Sequence, residues 1–307
     1  MKVVVTGGAG FIGANVCRVL AAAGHEAIAF DDLSTGDAAN LEGVDAALVE
    51  GTILDAAALD AVVDGAGAVI HLAARPSVPR SIADPMASHQ VNATGTLEVL
   101  EAVRRGPGAH VVVASSSSVY GANPGIPKAV DLVPMPLSPY AASKLAAESY
   151  ALAHASSFGL DVLAFRFFNV FGPLQPAGHA YAAVVPAFAE AALRGAPLPV
   201  FGDGKQTRDF TYVGTVAAVL ASAVDRRLRS ERPVNLAFGS RVSLLELADL
   251  LGSILGRDLE LEFGPSRIGD VRDSQADQSQ VRALFPDIEP VDLEAGLRAT
   301  VDWFRSR

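Results

Sequence analysis

Short, mostly apolar runs recur along the first half of the chain, at 2–6 (KVVVT), 26–30 (EAIAF), 46–50 (AALVE), 67–72 (GAVIHL), 110–114 (HVVVA) and 161–166 (DVLAFR). They do not alternate apolar with polar, so they predict strands covered on both faces. Between them lie segments with helical periodicity, at 12–23, 56–64, 86–105 and 138–158. Gly24 stands where the first helix should stop, and Asp84-Pro85 fits the start of the fourth. Alternation of this kind implies right-handed crossovers and an α/β fold with a doubly wound parallel sheet.

After residue 167 the texture changes. Gly and Pro become frequent, helical stretches shorten and strand-like runs stand alone. The pattern predicts a sheet domain from 1–166 plus 210–238 and a smaller, mostly C-terminal α/β substrate lobe from 167–209 plus 239–307. The proline-rich stretch 121–139 reads as an ordered surface loop close to the suspected chemistry.

Composition narrows the partners. Of 307 residues, 50% are hydrophobic and 19% charged, which excludes a disordered chain. The net charge of −10 argues against nucleic acid or an anionic membrane surface as the main partner. A single cysteine, Cys17, excludes an internal disulfide, leaves almost no case for a Cys-based zinc site and is expected to fill core; no metal is expected. The first strand-like run starts at Lys2, so no signal peptide is expected, and no apolar stretch is long enough to span a bilayer. The expectation is a soluble cytoplasmic protein.

The run Val5-Thr6-Gly7-Gly8-Ala9-Gly10-Phe11-Ile12-Gly13 follows a strand and opens a helix. Gly7 permits the tight turn, Gly10 lets a diphosphate approach the backbone, and Gly13 lets helix pack on strand. The helix N-terminus offers unpaired N–H groups and partial positive charge to phosphates. Eighteen residues past Gly13, Asp31 closes the second strand, where a carboxylate can accept from a ribose hydroxyl. No Lys or Arg occurs between Arg18 and Arg75, so a 2′-phosphate would meet acid and no cation; NAD is favoured over NADP.

Further on come Ser115-Ser116-Ser117-Ser118-Val119-Tyr120-Gly121 and Ser138-Pro139-Tyr140-Ala141-Ala142-Ser143-Lys144. Tyr140 and Lys144 are four apart and share one face of a helix. A neighbouring cation lowers a tyrosine pKa and turns a poor base into a usable one. On spacing alone many helices carry this pair by chance, and the serine run alone could be a polar loop.

These residues, with HLAA (71–74), VNATGT (91–96), RFFNVFGP (166–173), GDGKQTRDFTYV (202–213) and GDVRDSQAD (269–277), resemble the extended short-chain dehydrogenase/reductase superfamily. Within it they are similar to the NAD-dependent epimerase/dehydratase branch, with its Rossmann fold and nucleotide-sugar epimerases of the UDP-glucose 4-epimerase type. The resemblance implies that Tyr140 is the catalytic acid and base, Lys144 its electrostatic partner and a ribose ligand, and Ser116 a hydrogen-bonding partner of the reacting hydroxyl. It places Gly7, Gly10, Phe11, Ile12, Gly13 and Asp31 in cofactor-contact positions. Ser34, Thr35, Gly36, Thr52 and Ile53 join them, as do Leu72, Ala73, Ala74, Asn92 and Phe167. It places Ser116, Ser117, Ser118, Tyr140 and Asn169 against the sugar nucleotide, with Val184, Val185, Pro199 and Phe201 nearby. Arg208 and Arg267 fall where the diphosphate is clamped, and Asp270 near the ribose.

Related 4,6-dehydratases carry Asp-Glu after the position of Ser116, to protonate and deprotonate the sugar. Ser117 and Ser118 cannot replace those carboxyl groups, so elimination is disfavoured and oxidation, rotation and reduction remain. The resemblance thus implies a UDP-hexose 4-epimerase acting through a 4-keto sugar. Ser274 stands where epimerases restricted to glucose and galactose carry Tyr; a small residue goes with N-acetylated sugars, or Ser274 merely starts a turn. Epimerases of UDP-glucuronate place Thr at the position of Asn169 and a basic residue at that of Pro176, although Arg75, Arg80 or Arg272 could pair a carboxylate. A sugar-nucleotide oxidoreductase of the same fold is the other alternative. Thr52 departs from a common Asp, Pro76 from a Lys, Thr215 from an Asp and Phe167 from a Tyr. His71 is expected to be structural, and no role is given to His179. The resemblance also implies a homodimer paired through helices near 86–105 and 138–158.

Overall fold

The computed structural model describes residues 1–177, 182–266 and 271–307. Its first half runs β1 (Lys2–Thr6), α1 (Phe11–Ala22), β2 (Glu26–Asp31), β3 (Ala46–Glu50), α2 (Ala56–Val63), β4 (Ala68–His71), α3 (Val78–Ala83), α4 (Pro85–His89), α5 (Gly95–Arg105), β5 (His110–Ser116), α6 (Pro139–Phe158) and β6 (Val162–Phe167). The second half adds β7 (Asn169–Phe171), α7 (Val184–Arg194), β8 (Leu198–Phe201), β9 (Thr207–Arg208), β10 (Phe210–Tyr212), α8 (Val213–Asp225), β11 (Val234–Leu236), β12 (Val242–Ser243), α9 (Leu244–Leu255), β13 (Leu261–Gly264), α10 (Ser279–Leu284) and α11 (Leu293–Arg305).

Seven strands form one parallel sheet in the order β11-β6-β5-β4-β1-β2-β3. The chain leaves β1 toward β3 and then crosses back to β4. A switch of this kind opens a crevice beyond the carboxyl ends of the strands. Alternate residues serve opposite faces. Val3, Val5, Ala27 and Ile70 pack with α1 and α8, while Val4, Phe30, Val69 and Val113 pack with α2, α5 and α6. Cover on both faces is why these strands are apolar throughout. β3 departs from that expectation. It is the border strand, and Leu48 and Val49 remain 37% and 39% exposed.

The predicted helix over 86–105 is not continuous. A π-helical turn at Gln90–Thr94 separates α4 from α5 and carries the buried Asn92. Such turns add a residue and re-aim the side chains around it. Asp84 caps α4 by accepting from the Ala87 amide. The helix over 138–158 forms as α6, with Ser138 as its N-cap, Pro139 in its first turn and Gly159 left-handed at φ +71° at its end.

A second apolar core joins Phe171, Phe188, Leu198, Phe210, Leu247 and Leu297 from β7, α7, β8, β10, α9 and α11. Two segments lie across the seam drawn from the sequence. β10 pairs with β7, so Phe210 belongs to this second core and not to the sheet domain. α10 returns to the sheet, and Val281 and Phe285 complete the core beneath β11. Cys17 is fully buried, and burial pushes its thiol up to about 12.

Candidate active site

The turn after β1 is shaped by glycine where nothing else fits. Gly7 holds φ +70°, and a Cβ on Gly13 would sit 2.0 Å from the Gly7 carbonyl oxygen. Gly10 begins α1 with no side-chain cap and no acidic residue in the first turn. A Cβ there would meet only the Gly7 oxygen, at 3.2 Å, so the cradle above α1 is open. An uncapped helix start facing open space suits an anionic diphosphate. Asp31, 7% exposed, accepts from the amides of Ala9 at 2.9 Å and Leu33 at 2.9 Å. Burial raises its pKa, which those amides oppose. Four acceptor sites on the carboxylate leave room for a ribose hydroxyl. Gly36 is pressed against Asp31: a Cβ on it would lie 2.9 Å from each carboxylate oxygen. Asp32 is the exposed turn residue and takes the Ser34 hydroxyl; Thr35 is exposed. The Ala9 carbonyl accepts from Asp37 and Asn40, two residues with no sequence signal, which fasten the 32–40 loop to the glycine turn. These features fit NAD.

Thr52 opens a turn by accepting from the Leu54 amide, and Ile53 packs beneath it, 5% exposed. Ala73 lies against Gly7 and donates to Thr6, while Leu72 and Ala74 flank it half-buried. Phe167 ends β6 level with Ser116. Behind them runs a chain of hydrogen bonds whose direction is fixed by donor count. Thr96 donates to the Asn92 carbonyl at 2.6 Å, so it accepts from His71 Nε2–H at 2.9 Å. His71 Nδ1 therefore accepts from the Thr6 hydroxyl at 2.7 Å. Burial first, and then Lys144, push His71 down to about 3, so the ring is neutral and structural, as expected. Asn92 sits in the π-helical turn. It is fully buried, accepts from the Arg75 amide, and donates to the Arg75 carbonyl and the Ser143 hydroxyl. Its carboxamide ties the backbone at Arg75 to α6.

At the end of β5, Ser116 Oγ accepts from the Ser118 amide at 3.2 Å and the Ser118 hydroxyl at 2.8 Å. The Ser116 hydroxyl lies near enough to the half-buried Tyr140 phenol to favour its charged form. Ser117 begins the short turn that follows. Lys144 is 4% exposed one turn along α6. Burial raises the Tyr140 phenol and the Ser116 hydroxyl opposes it, because a desolvated phenolate costs more than one hydroxyl returns. Burial instead pushes Lys144 down to about 8, and Glu148 one turn further on opposes it. Glu148 is the functional-looking residue that the motif reading missed. Continuing the four-residue stripe from Tyr140 and Lys144 would have found it.

On the substrate side, Asn169 opens β7, and its amide and carboxamide both donate to the Asp209 carbonyl. Asp209 is fully buried; its carboxylate accepts from Gly239, Ala276 and Ser240. Arg208, 9% exposed, donates to the carbonyls of Thr207 and Arg272. Pro199 and Phe201 are half-buried on β8. Val184 starts α7 partly buried, and Val185 is 2% exposed within the second core. Ser274 is buried and its amide donates to Thr207. Arg75 pairs with Asp84 at 3.4 Å, Arg272 pairs with Asp203 at 3.1 Å, and Arg80 is engaged as well. Thr215 accepts from the Val291 amide, a structural use. Arg267, Asp270 and His179 lie outside the described residues.

The pattern of the NAD-dependent epimerase/dehydratase family matches residues 3–237. The chain belongs to that family. It is 37% identical to the UDP-glucose 4-epimerase of Mycolicibacterium smegmatis, over all of this chain and 99% of the other. The UDP-N-acetylglucosamine 4-epimerase of Methanobrevibacter ruminantium, solved with UDP-N-acetylmuramic acid, superposes with a TM-score of 0.93 at 35% identity, covering 99% of this chain and 98% of that one. The UDP-glucuronic acid 4-epimerase of Bacillus cereus, a variant solved with a fluorinated UDP-glucuronic acid and NAD, gives 0.91 at 29% identity, covering 100% and 99%. The chain is thus an extended short-chain dehydrogenase/reductase of Rossmann α/β fold.

Proposed function

We propose that this protein is an NAD-dependent 4-epimerase of UDP-hexoses. The observation that carries the reading is Tyr140 and Lys144 on one face of α6 near the Ser116 hydroxyl, with Ser117 and Ser118 where elimination needs carboxyl groups. The glycine turn, the start of α1 and Asp31 would hold NAD, with Lys144 reaching its ribose. When bound, that cofactor supplies a reversible hydride acceptor. Tyr140 takes the proton of the sugar C4 hydroxyl and returns it to that same oxygen once the keto sugar has turned its other face, while Ser116 orients the reacting oxygen. Lys144 stabilises the phenolate. Arg208 with Arg267 clamps the diphosphate, Phe201 and Pro199 flank the base, Asp270 meets the ribose, and Asn169 donates to a phosphate. The sugar turns about that anchor between the two transfers.

UDP-glucose, UDP-galactose and their N-acetyl forms are the preferred substrates, the latter because Ser274 is small. UDP-glucuronate is less favoured, since Arg75 and Arg272 already pair with carboxylates and Asn169 and Pro176 stand where that branch differs. We further propose the division into a dinucleotide domain and a sugar-nucleotide lobe, with the seam moved to place β10 in the lobe and α10 under the sheet. A cytoplasmic homodimer is part of the same proposal: α6 exposes Tyr150 and Phe158, and α4 exposes Met86. No helix among the described residues is long and apolar enough to cross a membrane.

Incubation with each UDP-sugar and no added NAD tests the reading. Interconversion at C4 without net cofactor consumption is expected. NAD-loaded protein that converts none of the sugars would overturn it, and stoichiometric use of added dinucleotide would point to an oxidoreductase. Light scattering at the working concentration tests the dimer.

A further inference from the structure

We propose that Glu148 is a positioning residue for the catalytic pair: its carboxylate, clamped between Arg166 and Ser115, fixes α6 against the end of β5 and supplies the negative charge that keeps Lys144 an ammonium. The proposal rests on the epimerase reading for its kinetic consequence.

Tyr140, Lys144 and Glu148 are four residues apart and form one stripe on α6. The Glu148 carboxylate accepts from Arg166 Nε at 2.9 Å and Nη2 at 2.7 Å, and from Ser115 Oγ at 2.7 Å. Glu148 and Arg166 are each 3% exposed, so water screens neither. Ser115 is the strand neighbour of Ser116. One carboxylate therefore fastens both the helix that carries the phenol and the strand that carries its hydrogen-bond partner. The far side of Arg166 is held as well: Nη1 donates to the Val130 carbonyl at 3.3 Å, and the guanidinium lies 4.6 Å from the Tyr120 ring centroid. Tyr120 in turn donates to Asn235 at 2.6 Å. A carboxylate so enclosed cannot swing away from the stripe.

Tyr140 and Glu148 lie on the helix of Lys144, and neutral His71 comes from β4. Arg166 from β6 stands beyond Glu148. Without the carboxylate, the burial of Lys144 would lose the charge that opposes it, and Lys144 would give up its proton at lower pH.

The test compares wild-type protein with Glu148→Gln and Ser115→Ala. The reading that needs no sugar is the ionisation of the Tyr140 phenol, followed in the ultraviolet by difference against Tyr140→Phe. In Glu148→Gln this ionisation should move upward by about one pH unit or more. Its kcat at neutral pH should fall about tenfold or more with little change in KM, and the alkaline limb of the kcat profile should move to lower pH. Ser115→Ala keeps the ion pair and loses the strand anchor, so it should lower kcat about twofold to tenfold and leave the alkaline limb in place. Glu148→Gln protein that keeps its NAD and UDP affinities with wild-type phenol ionisation and pH profile overturns the charge role. Wild-type kcat in Ser115→Ala overturns the anchoring role, and it decides that role even if Glu148→Gln does not fold. Failure of the wild type to convert any UDP-sugar would sink the epimerase reading but leave the phenol titration as a test of Glu148.

Discussion

Replacing Tyr140 by Phe removes one oxygen from a half-buried ring and changes little else. Turnover should fall about a hundredfold or more while NAD and UDP still bind, measured by sugar interconversion beside calorimetry. Lys144 sets a second expectation. Its charged form is required, and burial brings it down to about 8, so activity should decline as pH rises through that value. The stability linkage has the opposite sign. Between the folded value of about 8 and the ordinary 10.5, the unfolded chain binds more protons, so this group's burial penalty is relieved as pH rises through that window. At this scale local placement was legible: the four-residue spacing puts Tyr140 and Lys144 on one face of α6, and the serine run puts Ser116 at the end of β5. Remote partners were illegible. Nothing near Asn92 announces Arg75 and Ser143, and nothing near Glu148 announces Arg166 and Ser115.

Elements obey the end signals written beside them. Ser138 caps α6 by accepting from the Ala141 amide at 3.1 Å, and Ser138→Ala should cost about 1 kcal/mol, read as a lower urea midpoint with an unchanged m-value. Gly13→Ala tests the glycine turn more severely. An exposed helical Gly→Ala gains about 1 kcal/mol, but here the new Cβ would sit 2.0 Å from the Gly7 oxygen. The clash should dominate, lowering thermal stability and abolishing co-purified NAD together. Two element-level features could not be read from the pattern. Gln90–Thr94 keeps the helical rhythm of its neighbours and contains neither Gly nor Pro, so its extra residue per turn leaves no mark. Ala46–Glu50 has the composition of an inner strand, and only the sheet order makes it a border.

Across the whole molecule, the alternation of strand and helix sufficed for the sheet, because βα crossovers allow few topologies. β10 pairs with β7 and α10 packs near β11, contacts between segments far apart in the sequence. Asp209 lies where those parts meet, and burial pushes it up to about 6 from 3.8. The folded chain binds more protons than the unfolded one in that interval, so this group should lower stability by about 3 kcal/mol as pH rises from 3.8 to 6. Asp209→Asn should flatten that slope in paired urea titrations; an identical slope would remove Asp209 as its origin. One border of the molecule has a different consequence. Beyond β3 no further strand pairs among the described residues, and Leu48 and Val49 stand on that border. Such a rim can recruit any extended oily peptide, so crowding in concentrated solution should begin there, far from the chemistry, and a lysine at Leu48 should blunt it without slowing turnover.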